Sequence, residues 1–335
     1  MKKLLLSIFL ISTLGMYAQE ITGGPINSRT KTGVIDGVYL KSNIPTKRLI
    51  PYTPVREADV IWSKRVWRAI DLREKINHTL YYPLDEFTNP DPMTGHVEWV
   101  RNDNRWSLWT IIRHHILSGD LTVYSDYNPV NHFILDGDKF KYPILPEPGK
   151  NYLTDENYRE ELLWYLAELG DEPTEALLNM YGEDSTDVNG QYVYPPRDTI
   201  WYTSKDIIQY RLKEDWFFDK QRSVLDVRII GLAPVRYDKS PDGTIEGTRT
   251  MFWLYFPTDC RYVFNNYFAY NDKNGARWMS FDDYFMKRRF SSFIIKEENN
   301  YDRNIDKYRV GVDALLESQK ITEEIRNIEH DVWQY

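Results

Sequence analysis

The segment DVIWSKRVWRAIDLREKINHTLYYP, residues Asp59–Pro83, decides how the rest of the chain is interpreted. Wound at about 100° per residue, it gathers its apolar side chains on one broad arc: Trp62, Val66, Ala69, Ile70, Leu72, Ile76 and Leu80. Trp67 falls outside this arc, beside Asp71 and Glu74. The pattern predicts an amphipathic helix with Asp59 as its N-cap. One tryptophan would then pack in the core, and Trp67 would be free for another contact.

The chain begins with the features of an export signal. Lys2 and Lys3 precede an apolar run from Leu4 to Met16, and Tyr17-Ala18 offers a cleavage site. The run is too short to cross a bilayer, and no cysteine stands at the cleavage site for lipidation. We therefore expect residues 1–18 to be a signal peptide and the exported chain to have no membrane anchor of its own.

The composition narrows the classes of function. The formal charge is −8, and removing Lys2 and Lys3 makes it −10. Such an acidic chain does not fit a nucleic-acid binder, because phosphate contacts need concentrated Lys and Arg. Aromatic residues make up 15% of the chain, which favours a large recognition surface for proteins or sugars.

Cys260 is the only cysteine, so no internal disulfide can form. Two interpretations of this residue remain open. It is either a small buried hydrophobe beside Phe252–Phe256, or the site of a disulfide to another subunit.

The pattern along the chain predicts an α+β fold made of two related helix–strand halves. To these it adds a β-hairpin insertion, an extended N-terminal arm and a C-terminal amphipathic helix. The arm is expected because its region lacks helical periodicity and contains prolines at 45, 51 and 54. The predicted segments are a signal peptide (1–18), the arm (19–58), a first α+β half (59–150), a helical linker region (151–197), a second α+β half with the β insertion (198–312) and the C-terminal helix (313–335).

Several elements are predicted within these segments. A second helix is expected over Arg105–Leu117, followed by a strand over Leu121–Ser125. Asp198-Thr199-Ile200-Trp201 repeats the pattern of Asp59–Trp62, which predicts another helix through Leu212-Lys213-Glu214. Alternating residues within Val224–Asp259 predict a hairpin. The remaining predicted elements are helices over Leu153–Leu169, Pro173–Tyr181, the segment from Arg277 to Phe290, and Asp313–Trp333, and a strand over Phe293–Ile295.

No catalytic pattern emerges from the sequence. His114 and His115 are adjacent, so on a helix they cannot bind one metal from a shared face. There is no glycine-rich phosphate loop and no GxSxG motif. The carboxylate pairs Asp136/Asp138 and Asp282/Asp283 fit caps or turns better than acid–base catalysis. We therefore expect no enzyme activity, metal or cofactor.

The segment Asn265–Phe290 interleaves aromatic residues with Asn, Asp and Arg. Lys287, Arg288 and Arg289 form a basic cluster in this acidic chain, which favours docking of an acidic partner. Sugars also stack on such aromatic rings. The alternative is therefore an exported carbohydrate-binding or surface-assembly module that uses this region.

Three long stretches carry a family likeness: Thr32–Asn77, RWSLWTIIRHHILSGDLTVYS at 105–125 and NGARWMSFDDYFMKRRFSSFIIKEENNYDR at 274–303. They resemble the gliding-motility protein family GldN, also called PorN. The resemblance implies a non-enzymatic component of the type IX secretion system. It also implies a periplasmic ring formed with an outer-membrane lipoprotein, GldK or PorK, and contact with the periplasmic part of the motor protein GldM or PorM. No catalytic residues come with the family.

Taken with this resemblance, the sequence predicts which residues meet partners. The arm should contribute Val38, Tyr39 and Leu40, and the first predicted helix should contribute Trp67 and Arg68. The basic cluster Lys287, Arg288 and Arg289 should contribute the third contact. The protein would reside in the periplasm and reach the outer membrane through its lipoprotein partner.

Overall fold

The computed structural model describes residues 48–87, 99–100, 105–129, 135–170, 176, 184–186, 192, 194, 199–240, 242–274 and 279–332. Some predictions lie outside these residues. They concern the signal peptide, the arm up to residue 47 with Val38, Tyr39 and Leu40, and nearly all of the helix expected over 173–181.

The centre of the fold is an antiparallel sheet of eight strands. They are β1 (Val60–Asp71), β4 (Val123–Ser125), β5 (Pro143–Ile144), β8 (Ile207–Asp219), β9 (Val224–Lys239), β10 (Ile245–Thr250), β11 (Phe252–Tyr255) and β14 (Phe293–Glu297). Their order in the sheet is β14-β1-β8-β9-β11-β4-β5, and β10 also pairs with β9. Three small two-stranded sheets accompany it. They pair β2 (Glu86–Phe87) with β3 (Trp99–Val100), β6 (Ala167–Leu169) with β7 (Thr199–Trp201), and β12 (Phe268–Ala269) with β13 (Met279–Ser280).

The α-helices of the described residues are α1 (His78–Tyr81), α2 (Leu108–Ser118), α3 (Glu156–Leu166), α4 (Arg261–Phe264), α5 (Phe281–Met286) and α6 (Val312–Val332). Short 3₁₀ turns lie at Glu57–Asp59, Lys75–Asn77, Gly137–Lys139 and Ile305–Lys307, and a π-helical turn at Phe256–Cys260 precedes α4. Helices and strands therefore share the chain, and the predicted α+β class is confirmed.

The helix predicted from Asp59 is wrong, because residues Val60–Asp71 form the strand β1. This strand pairs with β8 on one side and with β14 on the other. From Val66 to Asp71 every residue is buried, so apolar side chains occur on both faces of the strand. A strand buried on both faces loses its alternation of apolar and polar residues. When such a strand is drawn as a helix, its apolar residues also fall on one arc, so the pattern is that of an amphipathic helix.

The second predicted Trp-headed helix is also wrong. Trp201 belongs to the short strand β7, and the residues through Leu212-Lys213-Glu214 belong to β8, which pairs with β1 along most of its length. Both stretches are rich in β-branched and aromatic residues, which suit a pleated sheet. Strands from both predicted halves lie in one sheet. The boundaries of the two halves and of the other segments remain predictions.

Other predicted elements are confirmed. Ser107 caps α2 by accepting a hydrogen bond from the backbone of Thr110, and Gly119 ends that helix in left-handed backbone, at φ 84°. Strand β4 follows it, β9 and β10 form the expected hairpin, and β14 is the strand expected at 293–295. The C-terminal helix α6 buries Ile321 and Ile325, and the Oγ of Ser318 on α6 accepts a bond from the backbone N–H of Ile294 on β14.

Three apolar clusters hold the fold together. The largest joins Ile70 and Leu212 of the sheet to helices α1 to α5. A second joins Val66 to Ile294 of β14 and to Ile321 and Ile325 of α6. Val66 and Ile70 point to the same face of β1, since side chains alternate along a strand. The third cluster, Trp67 with Ala233 and Trp253, lies on the opposite face.

Candidate partner-binding site

The end of the arm is fixed to the folded chain at Tyr52 and Thr53. The Tyr52 ring lies 4.5 Å from the guanidinium carbon of Arg261 and 5.2 Å from that of Arg228. Its hydroxyl donates a hydrogen bond to the Sδ of Met286 at 3.6 Å, and the Arg228 Nη2 donates to the carbonyl of Thr53 at 2.5 Å. Burial raises the pKa of Tyr52 to about 12. The end of the arm is therefore held at a defined point of the fold.

This attachment lies beside an unpaired part of a strand. Within the described residues, β9 pairs with β11 and β10 only from Gly231 onward on that side, so residues 224–230 have a free edge. The backbone of Ile229 there opposes the rise in the pKa of Tyr52, so the Tyr52 hydroxyl lies beside this part of β9. Free strand edges invite pairing with other chains, and covering segments prevent it. The arm end covers part of this edge.

The basic cluster follows directly after α5, whose Met286 the arm contacts. The backbone N–H of Arg289 donates to the carbonyl of Tyr284 and that of Arg288 to the carbonyl of Phe285, both at 3.0 Å. Arg288 has a φ of 48°, in the left-handed region where helices usually end on glycine. Its side chain turns inward, while Lys287 and Arg289 on either side are exposed.

Arg288 and Arg68 are brought together by one buried carboxylate. Glu214 on β8 has no exposed side-chain surface, and it binds Arg288 through Nη1 at 2.8 Å and Nη2 at 3.2 Å. The Arg68 Nε lies 3.4 Å from the same carboxylate, and its Nη1 donates to the Oγ of Ser292. Burial lowers the pKa of Arg68, and the nearby charge of Glu214 opposes this effect. Two cations therefore share one anion between the first and second apolar clusters.

We group the exposed residues that are close in sequence to these contacts under the name arm–loop surface; its Arg289 also borders the cleft of about 730 Å³ described below. Ile50, Tyr262 and Met286 expose 68%, 64% and 41% of their area. Lys287 lies 3.5 Å from Asp283, and Arg289 forms no ion pair with any described residue. We define the surface by residues Ile50, Tyr52, Thr53, Tyr262, Met286, Lys287 and Arg289. Exposed Tyr, Met and Arg side chains are enriched at the centres of protein interfaces.

Trp67 lies elsewhere. The prediction that it is a free residue of a helix is wrong. It lies on the strand β1, on the face opposite to Val66 and Ile70, and only 8% of its area is exposed. The Nζ of Lys296 lies 4.5 Å from the ring centroid, and that of Lys213 lies 5.6 Å away. Burial lowers the pKa of Lys213, which Asp138 partly offsets through an ion pair at 3.3 Å. A partner contact of Trp67 remains an untested prediction.

Cys260 is free and fully buried at the end of the π-helical turn, where burial raises the pKa of its thiol well above the usual value. A disulfide to another subunit would require this segment to open first. His115 is also occupied within the fold. Its Nδ1 pairs with Asp120 at 2.6 Å and its Nε2 with the hydroxyl of Tyr267 at 2.7 Å. Among the described residues, no group of three or more His, Cys, Asp or Glu side chains is arranged to hold a metal.

The region of the carbohydrate-binding alternative borders a cleft of about 730 Å³. Its walls include Tyr270, Asn271 and Asn274 from that region, together with Lys75. The guanidinium carbon of Arg105 stacks 3.9 Å above the ring centroid of Tyr270, so one face of this ring is already covered.

Sequence reasoning missed Glu214, Tyr52, Arg228 and Arg261. A signal was available for the first, since Glu214 lies within the strand-like run IIQYRLKEDWFF and a charge there demands a partner. Tyr52 between Pro51 and Pro54 carried a weaker signal for an anchored segment. The partners Arg228 and Arg261 are distant in sequence, and only the fold brings them to the arm.

None of the helices in the described part of the chain is long and apolar enough to cross a membrane. A family model described as "Gliding motility associated protein GldN" matches residues 55–334. A comparison with curated proteins gave no match.

Proposed function

Since the chain belongs to the GldN family, we propose that it assembles with a GldK- or PorK-type outer-membrane lipoprotein into a periplasmic ring. Members of this family are periplasmic structural components of the gliding-motility and type IX secretion machinery, and it is not a known enzyme family. In this proposal the ring also contacts the periplasmic part of a GldM- or PorM-type motor protein. The lipoprotein supplies the link to the outer membrane.

The arm–loop surface carries the proposal. The arm end at Tyr52, the basic cluster and Met286 lie together, although more than 230 residues separate them in sequence. The surface combines exposed apolar side chains with Lys287 and Arg289 in a chain of net charge −8. This combination suits a partner with an acidic, partly apolar surface.

An arm that starts at a fixed point also suits a ring. A ring needs a head-to-tail contact between two different surfaces of neighbouring subunits. An extended segment leaving the Tyr52 anchor can reach a neighbour, while its own subunit holds its root. We propose that residues 33–47, with Val38, Tyr39 and Leu40, contact the neighbouring subunit or the lipoprotein.

Two deletions test this proposal. Removing residues 22–47 leaves Tyr52 and Thr53 in place, and removing residues 22–54 also removes the anchor. Both variants should stay folded by circular dichroism, and both should lose co-purification with the lipoprotein from detergent-solubilised envelope. Normal co-purification of the 22–47 deletion would contradict the role of the arm.

The cleft beside Tyr270 supports a second candidate, the carbohydrate-binding module. Amide and charged side chains beside an aromatic ring provide hydrogen-bond partners for sugar hydroxyls. Binding of a glycan on an array by the purified protein, lost in Asn271→Ala and retained in Lys287→Ala, would favour this candidate. Absence of binding to all glycans would reject it.

A further inference from the structure

Two arginines face each other across neighbouring strands, and neither belongs to the arm–loop surface. Arg236 on β9 pairs in register with Arg249 on β10. Side chains at directly opposed positions lie about 5 Å apart, and like charges there are destabilising. Both arginines are half-buried, so water screens their repulsion only partly. Such an arrangement calls for a negative charge.

The fold does not supply that charge through an ion pair. No carboxylate among the described residues lies within ion-pair distance of Arg236 or Arg249. Glu168 borders both clefts described below, and Asp206 and Asp238 border the larger one together with Lys205 and Lys239, so the side chains around the two arginines leave one positive charge in excess. Arg236 donates a long hydrogen bond, from Nη1 to the carbonyl oxygen of Tyr237 at 3.5 Å.

Aromatic rings hold both guanidinium groups in place. The guanidinium carbon of Arg236 lies 4.7 Å from the ring centroid of Tyr202, and that of Arg249 lies 5.1 Å from the ring centroid of Tyr127. Stacking fixes the plane of a guanidinium and leaves the N–H groups at its edge available. Two preorganised donor groups therefore face one cleft.

The cleft has room for side chains. It measures about 280 Å³, and a neighbouring cleft of about 660 Å³ shares Tyr202, Arg236, Arg249 and Glu168 with it. Trp164, which is 60% exposed, forms part of the wall of the smaller cleft. We call the two adjoining clefts the groove; aromatic rings line much of the smaller cleft, and charged and polar side chains line most of the larger one.

We propose that this groove binds a peptide segment that carries carboxylates next to bulky apolar side chains. Paired guanidinium groups recognise carboxylates through two parallel hydrogen bonds. Trp164, Tyr127 and Tyr202 receive the apolar side chains. A neutral sugar is the poorer ligand, because the two arginines would keep their unbalanced charge. The proposal does not depend on the ring assembly proposed above.

Fluorescence anisotropy of the purified protein tests the proposal. The probe is a fluorescein-labelled Glu-Phe-Glu-Phe-Glu peptide, and the matched peptide has Gln in place of each Glu. We expect saturable binding of the Glu peptide that weakens as salt rises. The Gln peptide should bind at least about tenfold more weakly, because each carboxylate bond is charge-assisted.

Single variants assign the binding to the two arginines. Arg236→Gln and Arg249→Gln should each weaken binding of the Glu peptide about tenfold. Neither should lower the melting temperature, because each removes one of two like charges. Arg159→Gln on α3 loses the same charge away from the cleft and should bind as the wild type does.

The variant Trp164→Ala provides a second route if a Gln variant fails to fold. Its side chain is exposed, so its loss should leave folding intact and weaken binding of the Glu peptide. Three results would overturn the proposal: equal affinity for both peptides, unchanged affinity of folded arginine variants, or binding of cellohexaose without binding of the Glu peptide.

Discussion

Arg288 binds Glu214 through two hydrogen bonds, at 2.8 Å and 3.2 Å, and so ties the basic loop after α5 to the buried centre of β8. The pair positions the neighbouring Lys287 and Arg289 at the surface. It also links the arm–loop surface to Arg68, since both arginines share this carboxylate.

Replacing Glu214 should therefore be costly. Glu214→Gln leaves two partly buried guanidinium groups without an anion, and we expect the free energy of unfolding to fall by about 3 to 5 kcal/mol. Urea unfolding at pH 7 measures this change. The neighbouring Asp215→Asn is the matched control, because its ion pair with Arg65 is partly exposed and should contribute less than about 1 kcal/mol. Equal losses in the two variants would contradict the buried network.

The backbone at Arg288 gives a second prediction. Its φ of 48° is unfavourable for a residue with a Cβ, whereas glycine adopts it freely. Arg288→Ala and Arg288→Gly both lose the ion pair, but the glycine variant should be more stable by about 1 kcal/mol. Thermal unfolding of the two variants compares them directly. An alanine variant at least as stable as the glycine variant would show that no backbone strain is present.

The arm anchor should protect the free edge of β9. Tyr52→Ala removes the ring between Arg228 and Arg261, which lies beside the backbone of Ile229. We expect faster hydrogen exchange at residues 224–230, because water reaches amide groups more often when their cover is lost. The rest of the sheet, such as β1, serves as the internal control. Unchanged exchange in β9 would show that the arm end does not cover this edge.

Asp126 predicts a pH dependence of stability. Burial raises its pKa from 3.8 to about 6, although Trp253 donates a hydrogen bond to it. The folded state therefore keeps a proton that the unfolded state has released. The contribution of this protonated carboxyl group to the free energy of unfolding is fully present below pH 3.8 and is lost as the pH rises through about 6.

The variant Asp126→Asn should not lose stability in this way as the pH rises. Its amide stays uncharged and can still accept the bond from Trp253. We expect it to be more stable than the wild type by about 2 to 3 kcal/mol at pH 8, and equally stable near pH 4. Urea unfolding at the two pH values measures the difference. An advantage that is the same at both pH values would contradict the account.

The elements predicted correctly are those whose sequence pattern lies within one short segment. The helix α2 with the strand after it, the hairpin of β9 and β10, and the apolar spacing of α6 all lie within short segments. The strands β1 and β8 were mistaken for helices because their partners lie far away in sequence. Each is stabilised mainly by pairing across the sheet, which no local period records.

The candidate site was predicted only in part. The basic cluster was proposed from its charges, and Arg68 was proposed as part of a helix that proved to be the strand β1; contact of either with a partner stays a prediction. The relationship between them runs through Glu214, and it depends on the register of β1 and β8. Likewise, the arm was recognised from its prolines, but its anchor depends on arginines that the chain supplies more than 170 residues later.

Photo-crosslinking in intact cells tests the assembly most directly. A photoreactive phenylalanine analogue would replace Arg289 on the arm–loop surface or, as the control, the exposed Glu246 on β10. Glu246 is exposed, and its side chain bonds to Ser240, outside the arm–loop surface. We predict a crosslink to the outer-membrane lipoprotein from position 289 and none from position 246. A crosslink from 246 alone, or none from 289 in cells that still assemble the complex, would contradict the arm–loop surface as the contact.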